Sequence, residues 1–86
     1  MKWPCVCCGF FTLPAPTGTG DEICPVCFWQ DDAVDNAGTE VLGPNKVTLP
    51  VARENYVMFG AAEERVRQHV RSPREDEKPP TRSASS

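Results

Sequence analysis

Five cysteines are the residues of this chain most able to do chemistry: Cys5, Cys7, Cys8, Cys24 and Cys27. Cys5 and Cys8 stand as C-x-x-C, followed by Gly9. Cys24 and Cys27 repeat the spacing as Cys-Pro-Val-Cys, and 15 residues separate the two pairs. That is the spacing of a four-cysteine zinc site. A two-residue gap lets both thiolates of one tight turn face the same ion, and a tetrahedral ion about 2.3 Å from each sulfur joins two such turns. Gly9 supplies positive φ for the first turn, and Pro25 fixes φ inside the second. Cys5, Cys8, Cys24 and Cys27 are therefore the expected ligands.

Cys7 is the spare thiol, since a C-x-C chelate with Cys5 is poorer than Cys5 with Cys8. It reads as a small buried thiol, or as a redox-active or alternative ligand beside the metal. The odd cysteine number and the absence of a leading apolar stretch argue against a disulfide framework and for a cytoplasmic protein. Four thiolates suit Zn²⁺ and also iron of the rubredoxin kind. Rubredoxin-like turns place Gly after the second cysteine; Phe28 stands there instead, which favours zinc.

The surrounding chain must position these sulfurs with little material. Of 86 residues, 40% are hydrophobic and 24% charged, and no apolar run reaches the roughly 20 residues of a membrane helix. Residues 72–86 read SPREDEKPPTRSASS, too polar to offset their ordering entropy, and are expected as a disordered tail. The remaining domain, residues 1–71, is of the size at which a core alone is marginal and a metal or disulfides are commonly added.

The fold expected is small α+β: a zinc-ribbon-like β-hairpin with two C-terminal helices. Phe10, Phe11, Thr12 and Leu13 form a β-favouring run. Pro14, Pro16, Gly18 and Gly20 break the chain, and residues 21–24 are the expected returning strand. Residues 30–47 read as a loop. Thr48 is an N-cap with Pro50 in the first turn, and Leu49, Ala52, Tyr56 and Phe59 share one helical face. Gly60 stops that helix. A second helix runs over residues 61–71 with Ala62, Val66 and Val70 on one face, ending before Pro73.

The blocks Trp3-Pro4-Cys5-Val6-Cys7-Cys8-Gly9-Phe10 and Ile23-Cys24-Pro25-Val26-Cys27-Phe28-Trp29-Gln30-Asp31-Asp32 resemble the CPCC family of cysteine-rich bacterial proteins. So do Gly43-Pro44-Asn45-Lys46-Val47, Ala52-Arg53-Glu54-Asn55-Tyr56 and Phe59-Gly60-Ala61. The resemblance covers roughly residues 3–71 and implies a metal site at the paired cysteines. Val6 replaces the proline that names the family, which frees one φ in the first turn and removes no ligand.

Net charge is −3, with nine basic and twelve acidic residues. Residues 3–40 hold no Lys or Arg, which argues against nucleic acid as a partner. Phe28, Trp29 and Trp3 read as shielding for the sulfurs. Asp31, Asp32 and Asp35, with Trp29, form the candidate contact surface for a protein partner. Arg53 or Arg65 could reach this acidic loop. His69 is a lone surface histidine. No catalytic set is present, and a closed four-cysteine site leaves zinc no open position for water, so the chain reads as non-enzymatic. The function expected is a protein-interaction module with a structural zinc site. Alternatives are a rubredoxin-like iron electron carrier, a nucleic-acid-binding zinc ribbon, and an immunity or antitoxin protein against a basic toxin.

Overall fold

A pair of short strands flanks the first cysteine turn, and a single β-bridge flanks the second. The structure, a computed structural model, describes residues 2–40 and 42–79. Strand β1 (Trp3–Pro4) pairs antiparallel with β2 (Phe11–Leu13), Trp3 opposite Leu13 and Pro4 opposite Phe11, across the first cysteine turn. A single antiparallel bridge, Ile23 with Gln30, brackets the second.

A hairpin is therefore present, but its partners differ from those expected. Residues 21–24 do not return along Phe10–Leu13. The physical reason is local closure. A C-x-x-C turn reverses the chain within a few residues, so each flank meets its own partner at lower loop-closure cost than a strand beyond the Pro- and Gly-rich stretch of residues 14–20.

The expected loop of residues 30–47 contains one helical turn, α1 (Ala33–Asn36). Asp32 caps it, accepting from the Val34 and Asp35 amides at 3.0 and 3.1 Å. Helix α2 (Leu49–Phe59) runs where the apolar spacing placed it. Thr48 is extended at its N-cap with Pro50 in the first turn, although the Thr48 side chain makes no capping bond. Gly60 ends the helix at φ +82, and its amide donates to the Tyr56 carbonyl at 2.9 Å. Leu49 and Ala52 are buried, Tyr56 and Phe59 half-buried.

The second expected helix is not α-helical. Ala61 and Ala62 are buried in irregular backbone, and a 3-10 helix follows at Glu64–His69. The Val66 amide, which an α-helix would bond to the Ala62 carbonyl, donates instead to the Glu63 carbonyl at 3.2 Å, and Ala62 is held by other segments. The Ala62 amide donates to the Cys27 carbonyl at 2.8 Å, and Asn55 Nδ2 donates to the Ala62 carbonyl at 2.9 Å.

Residues 72–79, expected within the disordered tail, follow a defined path. A 3-10 turn at Glu75–Glu77 packs against β2 and buries Glu77. Its carboxylate takes two bonds from the Arg71 guanidinium, at 2.9 and 2.7 Å, and one from the Arg74 amide at 2.8 Å. A paired, hydrogen-bonded charge is stable where an isolated one would not be buried. The rest of the expected tail, residues 80–86, lies outside the described residues.

The core lies at the cysteine turns rather than under the helices. It comprises Cys5, Cys7, Cys24, Cys27, Val26 and Trp29, joined by Leu13, Leu49, Ala52 and Ala62.

Candidate metal centre

The two cysteine turns are built alike. In the first, the Gly9 amide donates to the Cys5 carbonyl at 2.8 Å and the Cys5 amide to the Phe10 carbonyl at 2.9 Å. In the second, the Phe28 amide donates to the Cys24 carbonyl at 2.7 Å and the Cys24 amide to the Trp29 carbonyl at 3.0 Å. Both turns close through a left-handed residue, Gly9 at φ +84 and Phe28 at φ +70. Each therefore presents its two sulfurs on one side.

The turns face one another. Cys5 Sγ lies 3.6 Å from Cys27 Sγ, and Cys8 Sγ lies 3.7 Å from Cys24 Sγ. All four sulfurs fall within 4.8 Å of one another. A tetrahedron with about 2.3 Å metal–sulfur bonds has edges of about 3.8 Å. A disulfide needs sulfurs about 2.05 Å apart, and all five cysteines are free thiols. The expected four ligands thus form one site that could hold a metal ion, and they fit a tetrahedral one. Cys7 is buried beside this group but is not part of it.

The sulfurs are not equivalent. Cys5, Cys24 and Cys27 are 1%, 0% and 0% exposed, whereas Cys8 is half-buried. Cys24 has further support: the Thr12 hydroxyl lies 3.0 Å from its sulfur and the Val26 amide donates to it at 3.4 Å. Hydrogen bonds from Cys27, then Cys5 and Cys8, hold the Cys24 thiol far below its ordinary range, and Thr12 adds to this. The same bond to Cys24 pushes the Cys27 thiol up.

The model of the cysteine-rich CPCC family matches residues 3–77. The chain belongs to that family. No curated protein matches it, and no solved structure does. The family's extent reaches past the expected boundary at residue 71 to Glu77, the residue that the Arg71 pair buries.

In this CPCC chain the expected partner contacts are mostly internal. Trp29 is fully buried, its Nε1 donating to Asn36 Oδ1 at 2.8 Å. Asp31 is 2% exposed and accepts from the Gly18 amide at 2.6 Å and from Asn36 Nδ2 at 2.8 Å. Asp35 is 3% exposed and accepts from the Gly43 amide at 2.5 Å, the Asn45 amide at 2.8 Å and Asn45 Nδ2 at 2.7 Å. Burial raises the Asp35 carboxyl, but these donors outweigh it and hold the group below the ordinary range. Asp32 is half-buried at its cap. Buried, satisfied carboxylates are scaffold. Asp31 ties Gly18 to Asn36, and Asp35 ties Gly43 and Asn45 to α1.

The basic residues also go elsewhere. Arg53 Nε donates to the Val6 carbonyl, inside the first cysteine turn, at 2.9 Å, and Arg65 pairs with Glu63 at 2.7 Å. His69 is exposed, with its ring 5.3 Å from that of Phe28. Three contributors were not foreseen: Thr12 as a sulfur donor, Ala62 on the Cys27 carbonyl, and Arg71, whose amide donates to the Pro25 carbonyl at 3.1 Å. Nothing in the sequence marks these three, since strand alternation puts Thr12 on the face opposite Leu13, yet both are buried. Among the described residues no helix is long and apolar enough to cross a membrane.

Proposed function

We propose that this chain is a small, non-catalytic interaction protein whose fold is closed by one structural Zn²⁺. Cys5, Cys8, Cys24 and Cys27 would hold the ion, which supplies Lewis-acid cross-linking of the two turns and no open coordination position. The observation that carries this reading is the sulfur geometry: four sulfurs within 4.8 Å of one another, with closest approaches of 3.6 and 3.7 Å. Structural zinc contributes an apparent ~10–16 kcal/mol to folding, against a usual net stability of ~5–15 kcal/mol. Free thiols and a thiolate site suit a reducing compartment, hence the cytoplasm.

The partner surface moves from the acidic loop to exposed apolar side chains. Val57 and Met58, adjacent on α2, are 85% and 72% exposed and would supply apolar contact area. The acidic balance supports a protein over a nucleic acid.

Elemental analysis with a visible spectrum on the same untagged sample tests the reading. About one zinc per chain without colour is the expected result. One iron with visible charge-transfer bands would make the chain an electron carrier. A folded, metal-free protein would sink the proposal.

A further inference from the structure

Three features distinguish the two halves of the sulfur cluster. The second turn is strapped by the C-terminal segment: the Ala62 amide holds the Cys27 carbonyl at 2.8 Å and the Arg71 amide holds the Pro25 carbonyl at 3.1 Å. Arg71 is in turn locked by its double bond to Glu77. Cys24 and Cys27 beneath this strap are fully buried, and Cys24 is further bonded by Thr12 and Val26. The first turn takes instead one bond from an exposed side chain, Arg53 Nε on the Val6 carbonyl at 2.9 Å, and there Cys5 is buried while Cys8 is not. Cys8 is the one ligand that is half-buried rather than buried, and among the described residues no hydroxyl or amide bonds its sulfur.

From this asymmetry we infer that Cys8 is the modification site of the metal centre, the sulfur at which soft electrophiles attack and from which the ion is released. The inference rests on the metal reading above. A metal-held sulfur is a thiolate, and susceptibility follows thiolate character together with exposure. All four ligands share the first property; only Cys8 has the second. Cys7 is 8% exposed and outside the cluster, so it lacks both the exposure and the metal.

With a maleimide the step balances without an oxidant. The Cys8 sulfur adds to the ring double bond. A carbon–sulfur bond forms, the carbon–carbon π bond breaks, and the adjacent carbon takes a proton from water. The product is a thioether, uncharged and a poor zinc ligand, so the Zn–S bond breaks and three sulfurs remain. A three-sulfur site bound to a neutral fourth donor holds its ion less well, and zinc passes to any competing chelator.

The test treats zinc-loaded, full-length protein with less than one equivalent of N-ethylmaleimide. The adduct is mapped by peptide mass spectrometry, and released zinc is followed with a colorimetric chelator. Reaction at Cys8 at least about ten times faster than at any other cysteine is expected, with about one zinc released per adduct. First reaction at Cys7, Cys24 or Cys27, or a spread over all five cysteines, overturns the inference and leaves the zinc site intact. A full adduct at Cys8 with zinc retained overturns the release half. Metal analysis before treatment separates the two levels: a protein that binds no metal overturns the metal reading, and this inference with it. A second sample, Arg71→Ala, should open the strap and raise labelling of Cys27 relative to Cys8; an unchanged ratio shows that the strap is not what shields it.

Discussion

Phe28 occupies, in the second cysteine turn, the left-handed backbone position that Gly9 occupies in the first, at φ +70 against φ +84. A β-carbon at this conformation costs roughly 1–2 kcal/mol. At most sites glycine is less stable than alanine by roughly 0.5–1 kcal/mol. At these two the order should reverse. Nothing lies within 4 Å of a β-carbon built on Gly9, so Gly9→Ala carries strain without a clash. It should lower stability by about 1 kcal/mol. Phe28→Gly should be more stable than Phe28→Ala by a similar amount, because both lose the ring contact with His69 and only glycine relieves the backbone. Urea midpoints of the zinc-loaded proteins measure both differences. Alanine equal to or better than glycine at residue 28 would remove the strain argument.

Asp35 is scaffold, and its substitution should show it. Three donors converge on its carboxylate from Gly43 and Asn45. Asp35→Ala leaves them without an acceptor in a buried site and should cost about 2–4 kcal/mol. Asp32→Ala removes only the cap of α1 and should cost about 1 kcal/mol. Thermal or urea denaturation separates the two. A surface aspartate would change stability by at most about 0.5 kcal/mol, so a null effect at Asp35 would restore the acidic-surface reading.

The ligand set and α2 were legible because each is written in short-range spacing: cysteines two apart, apolar residues three and four apart, a glycine at the stop. The strand partners were not, since nothing in the Phe10–Leu13 run says on which side of a turn its partner lies. Asp31 and Asp35 read as solvated because composition cannot show that amides of Gly18 and Gly43 will converge on them. Residues 72–79 read as tail for the same reason. Glu77 is a surface residue by type and is buried only because Arg71 and the Arg74 amide satisfy it. The second helix failed through tertiary override: good helical periodicity lost to the bonds that Ala62 makes with the Cys27 carbonyl and the Asn55 side chain.

The Arg71–Glu77 pair should give stability a measurable acid limb. The Arg71 hydrogen bond holds the Glu77 carboxyl down at about 2, against an ordinary 4.5. As pH falls, the unfolded chain takes up this proton first, so the stabilisation is complete above about 4.5 and is lost on the way down to about 2. The gap in urea midpoint between wild type and Glu77→Gln should be constant from neutral pH to about 5 and close below that. Measuring both proteins at each pH makes acid loss of metal common to the two. A gap that persists undiminished at pH 3 would show that the pair adds nothing through charge.

Thr12 supplies a hydroxyl 3.0 Å from Cys24 Sγ, and both residues are buried. A thiolate is an acceptor, so in the metal-bound state Thr12 must be the donor. The bond draws electron density from one of four crowded negative sulfurs and fixes its direction. Thr12→Val keeps the branched shape and removes only the donor. Its cost to the fold should be modest, about 0.5–1.5 kcal/mol. Metal affinity should fall further, about 10–100-fold, as is usual when an outer partner of a ligand is lost. Thr12→Ser retains the hydroxyl and should recover most of the affinity. Competition with a chromophoric chelator reads the affinity, and urea denaturation reads the fold. If Thr12→Val lowered stability while leaving the chelator competition unchanged, Thr12 would be a packing residue and the Cys24 thiolate would owe nothing to it.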